Sequence, residues 1–148
     1  MGQETRDRPV ALVDSNVLFA YYQGWPPVTL LFGDDILGKI QLAINPIIIQ
    51  ELFLHAGLRT HPELVQQLQE KALMLPVNPE NVRSLFSFAD QVRDGVVNSN
   101  DILILNSARE CDFLVTYDQV FRHLLARVDW KKPRLLTPEE LLTLLGPQ

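Results

Sequence analysis

The chain has 148 residues, 47% of them hydrophobic, and a formal charge of −5, enough for one domain around an apolar core without a covalent staple. Its single cysteine, Cys111, excludes an internal disulfide and is expected as a small buried apolar side chain in a reducing compartment. No apolar run approaches the ~20 residues that span a bilayer, and the opening "MGQETRDRPV" lacks the apolar centre of a signal peptide, so a soluble cytoplasmic protein without membrane contact is expected.

Residues 1–8 read as a flexible leader and 9–146 as one domain. Pro9-Val10-Ala11-Leu12-Val13 is a short buried strand, followed directly by Asp14. A helix is expected from about Ser15 to Tyr22, stopping at "QGWPP", then a helical stretch over 28–38 and a strand "IQLAI" over 40–44. "NPIIIQELFLHAGL" opens a helix with Asn45 as N-cap and Pro46 at the first helical position, where its missing N–H costs little. "HPELVQQLQEKAL" is an amphipathic helix, "MLPV" (74–77) a short strand, and 79–94 a helix starting on Pro79 and ending before Gly95. "NSNDILILNSAREC" is a mostly apolar helix capped by Asn98 or Ser99. "FLVTY" (113–117) is a strand, "DQVFRHLLARV" a helix over about 119–128, "RLLT" an edge strand, and "TPEELLTLLG" a closing helix with Gly146 behind it.

Strands alternating with helices predict an α/β domain of three layers, a parallel sheet between helices. Ligands of such sheets bind beyond the carboxyl ends of the strands. Asp14 and Asp118 fall just past strands, and Asp101 falls in the first turn of a helix. Glu51 follows Ile47 and Ile48 and precedes Leu54, so it is expected to project from the face its helix buries. Each acid also has an ordinary use. Asp14 and Asp118 would cap the helices that follow, Asp101 would complement a helix dipole, and Glu51 would bend to solvent at an edge.

Taken together, four carboxylates in one cleft repel. Two unit charges ~4 Å apart cost roughly 4 kcal/mol at an effective dielectric near 20. Protons with raised pKa values or a cation must relieve them. Oxygen ligands without thiolate or imidazole select Mg²⁺ or Mn²⁺ over zinc, and His55, His61 and His123 show no zinc-ligand spacing. There is no G-x-S-x-G elbow and no phosphate-binding glycine loop. Metal-assisted hydrolysis of a phosphodiester remains. A phosphatase of the Asp-x-Asp type is disfavoured because Asn16 stands two residues after Asp14.

"LVDSNVLFAY", "NPIIIQELF", "NDILILNSA" and "FLVTYDQVF", in that order, resemble the signature segments of PIN-domain nucleases, whose small members include the VapC-type toxins of toxin–antitoxin pairs. The resemblance runs from about residue 9 to 125, with "LLTPEELL" similar to the closing strand and helix. It implies a twisted parallel sheet of four or five strands, and Asp14, Glu51, Asp101 and Asp118 as catalytic metal ligands. Asn16 and Thr116 would orient carboxylates or water. It implies Mg²⁺- or Mn²⁺-dependent hydrolysis of RNA by activated water, leaving a 5′-phosphate and a 3′-hydroxyl, an antitoxin protein as partner, and a homodimer. The chain departs from the common pattern at Val120, where many members carry a further acid, and at Cys111-Asp112, where a small residue is usual. The alternative is a catalytically inert PIN fold kept as a protein-interaction module.

The negative charge opposes phosphate binding, but residues 119–134 hold Arg122, Arg127, Lys131, Lys132 and Arg134 against Asp129 alone. Arg122, Lys131 and Lys132 are therefore weak candidates for RNA contact. Trp130 among them would either stack on an unpaired base or pack on the core or a dimer partner, the second being preferred.

Overall fold

The computed structural model describes residues 8–55, 62–78, 83 and 99–146. Five parallel strands form one sheet: β1 (Val10–Val13), β2 (Gln41–Ile44), β3 (Leu73–Met74), β4 (Phe113–Val115) and β5 (Arg134–Leu136). Their spatial order is β3-β2-β1-β4-β5. Among the described residues the helices are α1 (Ser15–Tyr22), α2 (Pro26–Leu31), α3 (Asp34–Leu37), α4 (Pro46–Leu54), α5 (Pro62–Lys71), α6 (Ser99–Ala108), α7 (Val120–Leu125) and α8 (Pro138–Leu145).

β1 is central and pairs Leu12 with Ala43 of β2 on one side and with Leu114 of β4 on the other. A strand covered on both faces must be apolar on both, which is why Ala11, Leu12 and Val13 form an unbroken buried run. From β1 the chain winds outward through β2 and β3, then returns to the other side of β1 for β4 and β5. The winding direction therefore reverses between β1 and β4, the position at which such sheets open a crevice. Asp14 N–H donates to Val115 O at 3.0 Å, closing the ladder at that point.

The helical stretch expected over 28–38 is two helices. Turn bonds from Phe32 N to Thr29 O and Gly33 N to Leu30 O end α2 before α3 begins. α2 starts on Pro26 and Pro27, since the first helical positions need no N–H partner. β3 lies at Leu73–Met74 rather than 74–77. It pairs with Ala43 and Ile44, Leu75 N adds a bond to Ile44 O, and Pro76 has no N–H to continue the ladder. β4 is shorter than expected because residues 116–118 turn away to make the contacts described below, and α7 stops at Leu125, where turn bonds from Arg127 N to Leu124 O and Val128 N to Leu125 O replace the helical pattern.

The helix expected over 79–94 and the cap Asn98 fall outside the described residues, Arg83 excepted, as does most of the leader expected over 1–8. Arg8 reaches Leu37 O, Ile40 O and the side chain of Gln41. Cys111 is fully buried and burial pushes its thiol up to about 12, so it is an inert apolar filler. Among the described residues no helix is long and apolar enough to cross a membrane.

Candidate functional site

The site begins with the first residue after the central strand. Asp14 is 4% exposed and caps α1: its Oδ1 accepts from Ser15 N at 2.8 Å, and its backbone carbonyl accepts from Val17 N and Leu18 N. The ordinary use of this acid is thus real, but it does not exhaust the side chain. Oδ2 accepts from Thr116 Oγ1 at 2.8 Å and from Asn16 Nδ2 at 3.1 Å. Asn16 Nδ2 also donates to Thr116 Oγ1, and its Oδ1 accepts from Tyr117 N. Thr116 Oγ1 in turn accepts from Asp118 N at 3.0 Å. β1, α1 and the end of β4 are thereby tied into one polar knot across the switch point.

Asn16 and Thr116 are each in direct contact with Asp14. Burial raises the Asp14 carboxyl from its ordinary 3.8 to about 6. The Thr116 and Ser15 hydrogen bonds oppose the rise, and the nearby charges of Glu51 and Asp118 add to it. Three of the four predicted carboxylates therefore share one electrostatic neighbourhood.

Glu51 reaches that neighbourhood from α4. The helix is set by the Asn45 N-cap, whose Oδ1 accepts from Ile48 N at 2.9 Å, and by Pro46 at its first position. Ile48 and Leu52 are buried, but Leu54 is 72% exposed, so the face that was expected to carry Glu51 inward is narrower than the sequence suggested. Glu51 is half-buried at its margin, with Oε1 accepting from Ser15 Oγ at 2.9 Å. Ser15 was not singled out from sequence. Its only signal is a hydroxyl placed directly after the acid.

Asp118 precedes Gln119, the N-cap of α7, rather than capping the helix itself, and its Oδ1 accepts from Val120 N at 3.0 Å in a local turn. Asp101 is 8% exposed in the first turn of α6, a helix that packs against both β1 and α4. Arg122 lies on α7 with its Nε on Gln119, and Lys131 and Lys132 are exposed ahead of β5. Trp130 packs against the core with the Arg109 guanidinium 4.7 Å from its ring centre, the preferred packing role rather than an open stacking face.

The donor chemistry fits a hard divalent cation. The hydrogen bonds described for Asp14 number three, against about four acceptor positions on a carboxylate. A cation would also relieve the desolvation and like-charge repulsion that hold its proton. Among the described residues, however, no group of three or more His, Cys, Asp and Glu stands at metal-holding spacing. The carboxylates are turned toward neutral partners instead, Asp14 to Thr116 and Asn16 and Glu51 to Ser15.

Comparison with known folds agrees with the architecture. The VapBC2 complex of Rickettsia felis, bound to a DNA fragment from its promoter, superposes with a TM-score of 0.66 at 12% identity, over 86% of this chain and 96% of that one. A toxin–antitoxin complex from Klebsiella pneumoniae gives 0.63 at 17% identity, over 88% and 98%. FitAcB of Neisseria gonorrhoeae gives 0.59 at 17%, over 86% and 97%. Identities this low speak for the fold alone. No curated protein matches the chain in sequence. The family description "PIN domain" matches residues 11–125, a span holding Asp14, Glu51, Asp101 and Asp118, and on that match this chain belongs to the PIN-domain family.

Proposed function

We propose that this chain is a Mg²⁺- or Mn²⁺-dependent endoribonuclease, the toxin of a toxin–antitoxin pair, with Asp14, Glu51, Asp101 and Asp118 as its metal ligands. The observation that carries the reading is the buried Asp14 carboxylate at the switch point, braced by Thr116 and Asn16 and loaded by the charges of Glu51 and Asp118. Perturbed acids of this kind cluster at functional sites. Toxin–antitoxin complexes among the structural neighbours support an antitoxin as partner, which in this reading covers the cleft of a cytoplasmic homodimer.

A bound divalent ion would supply Lewis-acid polarisation of the phosphate and activation of the attacking water. The chain's own contribution is placement. Thr116 and Asn16 hold the Asp14 oxygens in one orientation, so ligand geometry is set before substrate arrives. Ser15 steers Glu51 toward the end of β1. Asp101 lies in the first turn of α6, a helix that packs on β1 and α4, and would join the ligand set from there. Because water attacks, the RNA 2′-hydroxyl is not consumed, and preference for RNA arises from shape and single-strand access.

The test is cleavage of single-stranded RNA. The proposal requires cleavage that depends on Mg²⁺ or Mn²⁺ and disappears in Asp14→Asn, and cleavage persisting in excess chelator would end it. The inert interaction module draws on the absence, among the described residues, of a closed ligand cluster. Thermal stability separates the two readings. A working site at 100-fold its Kd gains about 2.7 kcal/mol, whereas an inert fold gives a flat response to metal.

A further inference from the structure

A cavity of about 460 Å³ opens beside the acidic site, lined by Ala20, Gln23, Gly24, Trp25, Tyr117 and Glu139. Its volume lies in the range of small-molecule sites. Trp25 is 52% exposed, an unusual position for so large an apolar ring. It is also fixed in place. Gly24, at φ +77, ends α1 with Gly24 N bonded to Tyr21 O and Trp25 N to Ala20 O, both at 3.0 Å. These are the paired bonds of a Schellman motif, with Trp25 as the residue it presents. Tyr117 lines the cavity next to it, its hydroxyl donating to both Glu139 oxygens at 2.9 and 3.0 Å, while Trp25 Nε1 donates to Oε2 at 3.4 Å.

The cavity is coupled to the site by the chain itself. Tyr117 is the residue between Thr116 and Asp118, and its N–H is held by Asn16. Ala20 lies four residues along α1 from Asn16, about 6 Å of helix rise. A nucleotide whose phosphate sits at Asp14 thus has an aromatic-walled recess within reach of its neighbouring base.

We propose that this cavity binds an unpaired guanine of the substrate, an inference that rests on the nuclease reading above. Two rings supply a stacking platform, which every base can use. Glu139 supplies selectivity. An exposed carboxylate keeps acceptor capacity beyond its tyrosine and tryptophan donors. Guanine presents two parallel donors, N1–H and N2–H, that match its two oxygens. Adenine, cytosine and uracil each set an acceptor beside the donor on that edge, which a carboxylate repels. A neutral or phosphate-rich ligand without such donors gains nothing from Glu139.

Nucleoside binding followed by Trp25 fluorescence tests this without metal or catalysis, with Trp25→Phe as the control that removes the signal. Guanosine is expected to bind roughly tenfold or more tightly than adenosine, cytidine or uridine, and Glu139→Gln to bring guanosine down to their level. Glu139 is exposed in the first turn of α8, so that variant keeps its fold. Equal binding of the four nucleosides would overturn the proposal. So would tighter binding of N-acetylarginine amide than of guanosine, which would give the cavity to a protein partner's guanidinium. RNA cleavage measured on the same protein reports separately on the nuclease reading. Guanosine selectivity without cleavage keeps the guanine pocket and removes the nuclease, and cleavage without selectivity does the reverse.

Discussion

Asp14 does two things that compete. As an N-cap it is ordinary, but as a carboxylate almost wholly withdrawn from water it favours its neutral form, with its carboxyl raised from 3.8 to about 6. The sign of the consequence follows from linkage. A folded-state value above the unfolded one means the native state holds the proton more tightly. Its contribution to stability is therefore complete below pH 3.8 and is lost as pH rises through about 6. The loss amounts to about 3 kcal/mol. In metal-free buffer, denaturant titrations of the wild type should show this decline on top of the titration of other groups, and Asp14→Asn should lack it. A divalent ion needs the ionised form, so its stabilising effect should grow over the same interval. The acid itself was legible in the sequence, because a carboxylate directly after a buried strand has few cheap explanations. Ser15, Tyr117 and Glu139 were not, because a hydroxyl, a phenol and a helix-starting acid are unremarkable until folding joins them to partners 22 to 114 positions away.

At the scale of elements, what positions Glu51 is the anchoring of α4. Asn45 is fully buried: besides capping Ile48 N, its Nδ2 donates to Ser107 Oγ at 3.1 Å and Leu103 O at 3.3 Å, both on α6. One side chain thus ties the helix carrying Glu51 to the helix carrying Asp101. Asn45→Ala should cost more than the ~1 kcal/mol of a lost cap, because it also strands buried polar partners at about 1–3 kcal/mol. A urea titration should read roughly 2–4 kcal/mol in total, and a value near 1 would mean the link to α6 is idle. The N-cap and Pro46 were readable from sequence, whereas the capping box joining Thr137 and Glu140 that starts α8 was not singled out there. The break between α2 and α3 is a helix end marked by Gly33-Asp34-Asp35, a turn signal that the helix expected over 28–38 ran through. Leu54 misled for a related reason. Its spacing matches a buried stripe, but the helix ends there and leaves it in solvent.

For the whole molecule, the balance of charge is the puzzle: −5 overall, in a chain proposed to grip a polyanion. The proposed cation at the carboxylates offsets part of this, and the basic run around β5 offsets more. If Lys131 and Lys132 each meet one phosphate, replacing both with Gln should lower the salt dependence of single-strand RNA binding by about 1.4 in log–log slope. Fluorescence anisotropy on the Asp14→Asn background measures this without cleavage, and an unchanged slope would remove both lysines from the interface. The sheet order was not specified by the sequence. Alternation of strands and helices announces a parallel sheet, whereas the reversal between β1 and β4 is a tertiary choice. It is that reversal which carries Thr116 and Asp118 to Asp14 across a hundred residues of chain.

The central claim is that these distant acids act as one metal site. Titration of Mn²⁺ followed by electron paramagnetic resonance, which reads free ion directly, addresses it most simply. The account predicts uptake by the wild-type protein that strengthens as pH rises through about 6, that Asp14→Asn abolishes, and that Thr116→Val weakens about 10- to 100-fold. Equal Mn²⁺ uptake by wild type and Asp14→Asn, or RNA cleavage by a wild-type protein that takes up none, would contradict it.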